Sequence, residues 1–200
     1  MPSPEKFKET LYQYNIEPSI IDEINLGYEE VVSKSPRKSK RDYFKHAMDV
    51  FDSQVPRDIE INLMDDNGCC KSQTAREKAS IQFAKIHSNK TLEEKLPLIS
   101  NVKNMGEAKL TEDGKLHILA VQYFKDDQFR CACPSINTGR KKEDAISRTY
   151  CMCCAGHFRY HYQIMLGCML KLESVLTSPL DSNGEEPCSF IFKIEERHMI

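Results

Sequence analysis

The sequence predicts an α+β fold: N-terminal helices packed on a C-terminal antiparallel sheet, with one long helix, about 154–167, before the last two strands. Three observations carry this. The first hundred residues read as capped segments of helical period. After Gly106 the character changes to alternating apolar and polar runs separated by turns. Behind Cys154 the helical period returns once, between the two groups of strands. The chain divides accordingly into a helical part, 1–105, and a cysteine-rich α+β part, 106–200, read as one compact unit.

Composition narrows the classes of function. With 40% hydrophobic and 29% charged residues the 200-residue chain has the make-up of an ordinary globular protein, and a net charge of −2 gives no general pull towards nucleic acid or anionic membrane. No apolar run approaches the ~20 residues that a membrane span needs. The opening Met-Pro-Ser-Pro-Glu-Lys lacks a signal core, so a cytoplasmic location is expected. Nine cysteines in a reducing compartment favour metal ligation or redox chemistry over disulfides.

In the helical part, Ser3-Pro4-Glu5 supplies a cap, a first-turn proline and a first-turn acid, and Phe7, Leu11 and Tyr14 follow at helical spacing. A second helix starts near Pro18 and uses Ile20, Ile21, Ile24 and Tyr28. Ser33 to Arg41 is a break rich in lysine and arginine. It reads as a solvated connector rather than a phosphate contact, because no basic stripe continues elsewhere. A third helix spans about Asp42 to Ser53, with Phe44, Met48 and Phe51 inward. Between Pro56 and Asp66 the alternation of Ile59, Ile61 and Leu63 suits a strand, while Ile59 with Leu63 behind a proline suits a helix; helix is the reading taken. Cys69-Cys70 then precedes a helix over Gln73 to His87 with Ala75, Ala79, Phe83 and Ile86 as its stripe. Thr91-Leu92-Glu93-Glu94 is a capping box opening a last short helix.

In the α+β part, Asp113-Gly114 marks a turn, and Lys115 to Phe124 reads as a strand. Lys125-Asp126-Asp127 is a tight connection, and Gln128 to Cys133 is the hairpin partner. A basic loop, Gly139-Arg140-Lys141-Lys142, leads to the densest stretch of the chain, Tyr150-Cys-Met-Cys-Cys-Ala-Gly-His-Phe-Arg-Tyr-His-Tyr162. Met169 to Thr177 and Pro187 to Glu195 are the closing strands. Along the second of them Cys188, Phe190, Phe192 and Ile194 share one side.

The chemistry sits in the cysteines. Cys131-x-Cys133 and Cys151-x-Cys153, taken as extended backbone, each turn two thiols the same way about 7 Å apart. Seventeen residues separate Cys133 from Cys151, within the loop range of two-knuckle zinc sites, although those use C-x-x-C. Cys131, Cys133, Cys151, Cys153 and Cys154 are therefore the candidate metal ligands, with Cys69, Cys70 and Cys188 as further candidates. Zinc is the metal expected and an iron–sulfur cluster the alternative. Cys154, His157 and His161 stand at i, i+3 and i+7 on one helix face. Cys154 at a helix N-terminus, with His157 one turn on, is also the pattern of an activated nucleophile and its base.

A cysteine-containing turn, a helix, a strand with Glu173, and a turn with Gly184 and Cys188 leading into Phe190 and Phe192 resemble the four-vinyl-reductase domain. The same ending resembles the 2-amino-thiazoline-4-carboxylate hydrolase-like proteins, and the whole chain resembles a bacterial cysteine-rich family with a C-x-C-C-A-G-H-F signature. The first two resemblances cover about the last fifty residues. They imply an α+β fold with a small-molecule pocket and, in some relatives, zinc at positions matching Cys151, Cys153, Cys154 and Cys188. Tandem Cys153-Cys154 and the pair Cys131/Cys133 depart from the four-vinyl-reductase pattern.

Two functions are expected from these residues. The first is a cysteine-rich, zinc-binding module that binds a small molecule or senses one, with a homodimer as the further assembly entertained and neither nucleic acid nor membrane as partner. The alternative is a hydrolase of a small carbon–nitrogen substrate, using a metal-bound water or the Cys154 thiolate with His157 or His161 moving the proton.

Overall fold

The computed structural model describes residues 3–68, 71–133, 136 and 145–195. The helices start where caps and prolines put them. Ser3 accepts from the Lys6 amide at 3.1 Å ahead of α1 (Pro4–Gln13), Thr74 accepts from the Glu77 amide at 3.1 Å ahead of α5 (Ala75–Ile86), and Thr91 and Glu94 close a capping box at α6 (Leu92–Ile99). Prolines open α2 (Pro18–Asn25) and precede α3 (Arg37–Gln54) and α4 (Arg57–Asp66), settling the 56–66 ambiguity as helix.

Two helical expectations are corrected. The third helix begins at Arg37 rather than near Asp42, so most of the basic connector is its first turns. Lys38 pairs with Asp42 at 2.6 Å, and Arg41 is buried with Nη1 donating to the Ile136 carbonyl at 3.0 Å. In α5 the inward residues are Ser80 and Phe83, and Ile86 is exposed, because the helix lies against a partly polar face described below. The basic loop Gly139-Arg140-Lys141-Lys142 lies outside the described residues.

The sheet is antiparallel in the order β1-β2-β6-β5, built from β1 (Glu107–Leu110), β2 (Leu116–Leu119), β5 (Met169–Thr177) and β6 (Ser189–Glu195). β3 (Tyr123–Lys125) and β4 (Gln128–Arg130) form a separate hairpin. The single strand expected over Lys115 to Phe124 is thus two, and β1 was not foreseen. The ladder of β2 with β6 ends at Leu119 opposite Ser189, plus one bond from the Ala120 amide to the Cys188 carbonyl at 3.0 Å. Pro187 comes next on the partner and has no N–H to extend it. Freed there, the chain turns into the hairpin, whose loop residues Asp126 and Asp127 have φ of 54° and 55°, the backbone of a type I′ turn. The Phe129 amide donates to the Gly184 carbonyl at 2.8 Å and ties this hairpin to the β5–β6 connection.

α7 (Met152–Leu166) is the helix expected over 154–167, starting two residues earlier and ending on Gly167 at φ 76°. It is central, with buried residues around most of its circumference. One side packs on the inner face of the sheet, where Phe158 meets Phe190 at 5.7 Å between ring centroids; α4 and α5 pack on the others. The core runs on into the helical part: Phe7, Tyr43, Phe44 and Phe51 form an aromatic cluster, and Phe44 meets Tyr150 edge-on at 5.0 Å. Among the described residues no helix is long and apolar enough to cross a membrane.

Candidate functional site

Three chain segments converge where α7 begins. The first is the end of the β3–β4 hairpin, which delivers Cys131 and Cys133. The second is a 3₁₀ turn, Arg148–Cys151, running into α7 and carrying Cys151, Cys153 and Cys154. The third is the entry to β6, with Cys188. Hydrogen bonds fix the 3₁₀ turn: Ser147 accepts from the Thr149 amide at 3.2 Å, the Ile146 amide donates to the Leu180 carbonyl at 3.1 Å, and Arg148 Nε meets Asp181 Oδ2 at 2.7 Å.

The extended geometry expected for Cys151-x-Cys153 does not occur. Cys151 has φ −74° and ψ −10° and caps α7, and Cys153 is already helical. The reason is the turn itself, which hands its chain to α7 without an extended residue between. Even so, Cys131, Cys133, Cys151, Cys153, Cys154 and Cys188 all border one cavity of about 260 Å³. Its other walls are mainly apolar, with Phe129 and Phe158 among them, and the buried Tyr150 also lines it. Cys168 stands apart behind Gly167, and the expected Cys69-Cys70 pair lies outside the described residues.

Two of the thiols meet hydroxyl groups. Cys133 Sγ and the Tyr150 hydroxyl are 3.3 Å apart, and Cys151 Sγ lies 3.0 Å from Ser178 Oγ. Hydrogen bonding to Cys133, then burial, push the Cys131 thiol well above the ordinary range. Burial pushes Cys151 up to about 12 and raises Cys153 well above its ordinary value. Raised in this way, these three thiols hold their protons at neutral pH. Among the described residues no group of three or more His, Cys, Asp or Glu side chains stands in an arrangement that would hold a metal, so ligation requires the thiols to turn and lose protons.

The histidines separate. His157 is a cavity wall, and its Nε2 lies 2.8 Å from Arg76 Nη1. Because a guanidinium only donates, Nε2 accepts, which leaves the proton of a neutral ring on Nδ1. His161 is fully buried away from the cavity, its Nδ1 3.2 Å from Ser80 Oγ and its ring 4.6 Å from that of His157. Cys154 and His157 thus share the cavity, and His161 supports His157 from behind. Nothing in the pattern of α5 marks Arg76, and the only signal for Arg130 is its place beside Cys131.

Comparison with protein-family models, with curated proteins and with solved structures returned no match.

Proposed function

We infer that this protein is a cysteine-rich module that binds a soft metal, zinc first, and takes a small molecule in the adjoining cavity, in a ligand-binding or sensory role. One observation carries the reading: six cysteines from three chain segments meet on the walls of one mainly apolar cavity. Thiolates select zinc, copper(I) and iron–sulfur centres over hard cations. A closed zinc site uses four ligands, so six thiols allow a complete site with two to spare. The test is elemental analysis with an absorption spectrum on anaerobically purified protein, beside a C131S/C151S variant. About one zinc per chain, lost in the variant, is the expected result. Iron with visible absorbance replaces zinc by a cluster, and absence of any metal after reconstitution overturns the reading.

A second reading, hydrolysis of a small carbon–nitrogen substrate, is favoured by the sharing of the cavity between Cys154, in the first turn of α7, and His157 one turn on. It requires turnover that disappears when Cys154 alone is alkylated.

A further inference from the structure

The cavity has a charge pattern that the thiols do not explain. Among the described residues that line it there is no aspartate or glutamate, yet two arginines are present, Arg76 and Arg130. Arg76 sits in the first turn of α5, and the one described hydrogen bond of its guanidinium goes to a neutral acceptor, His157 Nε2. Arg130 is turned partly inward: Nη2 meets Asp126 Oδ2 at 3.0 Å on the outer side, while Nε is buried with no hydrogen-bond partner among the described residues. A buried guanidinium N–H left without an acceptor costs about 1–3 kcal/mol, so native structures rarely keep one. The first turns of α5 and α7 also border the cavity, through Arg76 and through Cys153 and Cys154, and helix N-termini favour negative charge.

We propose that the cavity takes a small molecule with a compact apolar body and one oxyanion group, carboxylate or phosphate, and that Arg76 and Arg130 hold that group. The inference rests on the small-molecule half of the function proposed above. It explains three observations together: a turn of the Arg130 side chain towards the cavity gives its orphaned Nε–H an acceptor, Arg76 gains a counter-charge, and Phe129 and Phe158 supply apolar contact for the body. The volume of about 260 Å³ sets the size class as small.

The test is calorimetric titration of the reduced, full-length chain with three probes: hexanoate, butyl phosphate and the neutral hexanamide. Wild type should bind at least one charged probe about tenfold or more tightly than hexanamide, and the tighter of the two charged probes names the oxyanion. Arg76→Gln and Arg130→Gln should each weaken that probe about tenfold while hexanamide stays within about twofold, which shows that the variants are still folded around an intact cavity. Arg76→Lys and Arg130→Lys should fall between, keeping charge but losing the planar fork. Equal affinity for hexanamide and both charged probes overturns the inference and leaves the small-molecule reading standing. So does an arginine-independent preference for the charged probes. Failure of all three probes to bind removes the small-molecule reading and the inference with it.

Discussion

The Asp65 carboxylate of α4 and the Arg159 guanidinium of α7 meet in two parallel hydrogen bonds, Nε to Oδ1 at 2.8 Å and Nη2 to Oδ2 at 2.6 Å. Lys71 adds a third contact to Asp65 at 3.1 Å. The pair is mostly buried and fixes one flank of the helix whose cap and first turn carry three of the cavity cysteines. Arg159→Ala should cost about 2–4 kcal/mol, because it leaves a buried carboxylate short of its main partner. Arg159→Lys should recover part of that and not all, since an ammonium cannot make the paired contact. Chemical denaturation of the two variants checks the order.

The same pair sets the acid limb of stability. Burial alone would raise the Asp65 pKa, but the Arg159 hydrogen bonds and the charges of Arg159 and Lys71 outweigh it and hold it below its ordinary value near 3.8. A folded-state value lower than the unfolded one contributes stability that is complete above the unfolded pKa and is lost as pH falls through the folded one. Thermal melts should therefore decline below about pH 4, and the decline should be shallower in Asp65→Asn, which lacks the titration. An unchanged slope in that variant would show that other carboxylates govern the acid limb.

Gly156 is the reason α4 can lie so close to α7. A Cβ there would stand 2.6 Å from Asp65 Oδ1 and 3.0 Å from Asp65 Cα, and the second of these is backbone that cannot rotate away. Gly156→Ala gains up to about 1 kcal/mol of helix propensity but forces the helices apart, at a cost of about 1–3 kcal/mol. Net destabilisation by urea titration is the expected outcome. A stabilised Gly156→Ala would mean that the helices yield at this crossing.

The hairpin that carries Cys131 and Cys133 depends on its two-residue loop. Asp127 at φ 55° occupies the left-handed region, which aspartate tolerates and β-branched residues resist. Asp127→Val should cost about 1–2 kcal/mol and speed amide exchange in 123–130, while Asp127→Gly should leave exchange there within about twofold. Equal exchange in the two variants would argue that the bond from Phe129 to Gly184, rather than the loop, holds the hairpin.

What the sequence made legible follows from how local each cause is. Ser3, Thr74 and Thr91 act within a few residues, so their helices were readable, and the cysteine spacing was enough to gather five cavity thiols and name Cys188 as a sixth. The starts of α3 and α7 were misplaced because Pro36 and the 3₁₀ turn at 148–151 hand the chain directly to a helix, with no side-chain cap that a reader can see. The break between β2 and β3 depends on Pro187, which lies 68 residues after Leu119 and comes beside the end of β2 only once the sheet is formed. Arg76 reaches His157 across 81 positions, and spacing on one helix cannot show a contact between two.

The cavity thiols should react in two groups. Cys131, Cys151 and Cys153 are buried and hold their protons, with Cys151 pushed up to about 12, whereas the cavity thiols Cys133, Cys154 and Cys188, like Cys168 outside it, are half-exposed. Alkylation proceeds through the thiolate, and each unit of raised pKa removes about nine-tenths of it at a given pH below the pKa. Iodoacetamide on the reduced protein at neutral pH should therefore label Cys154, Cys168 and Cys188 before Cys131, Cys151 and Cys153, with rates at least about tenfold apart by peptide mass spectrometry. Stoichiometric zinc should then slow Cys154 or Cys188, whichever it recruits, and leave Cys168, outside the cavity, at its original rate. Protection of Cys168 to the same extent would place the metal elsewhere, and early labelling of Cys151 would show that the cavity opens far more readily than its packing implies.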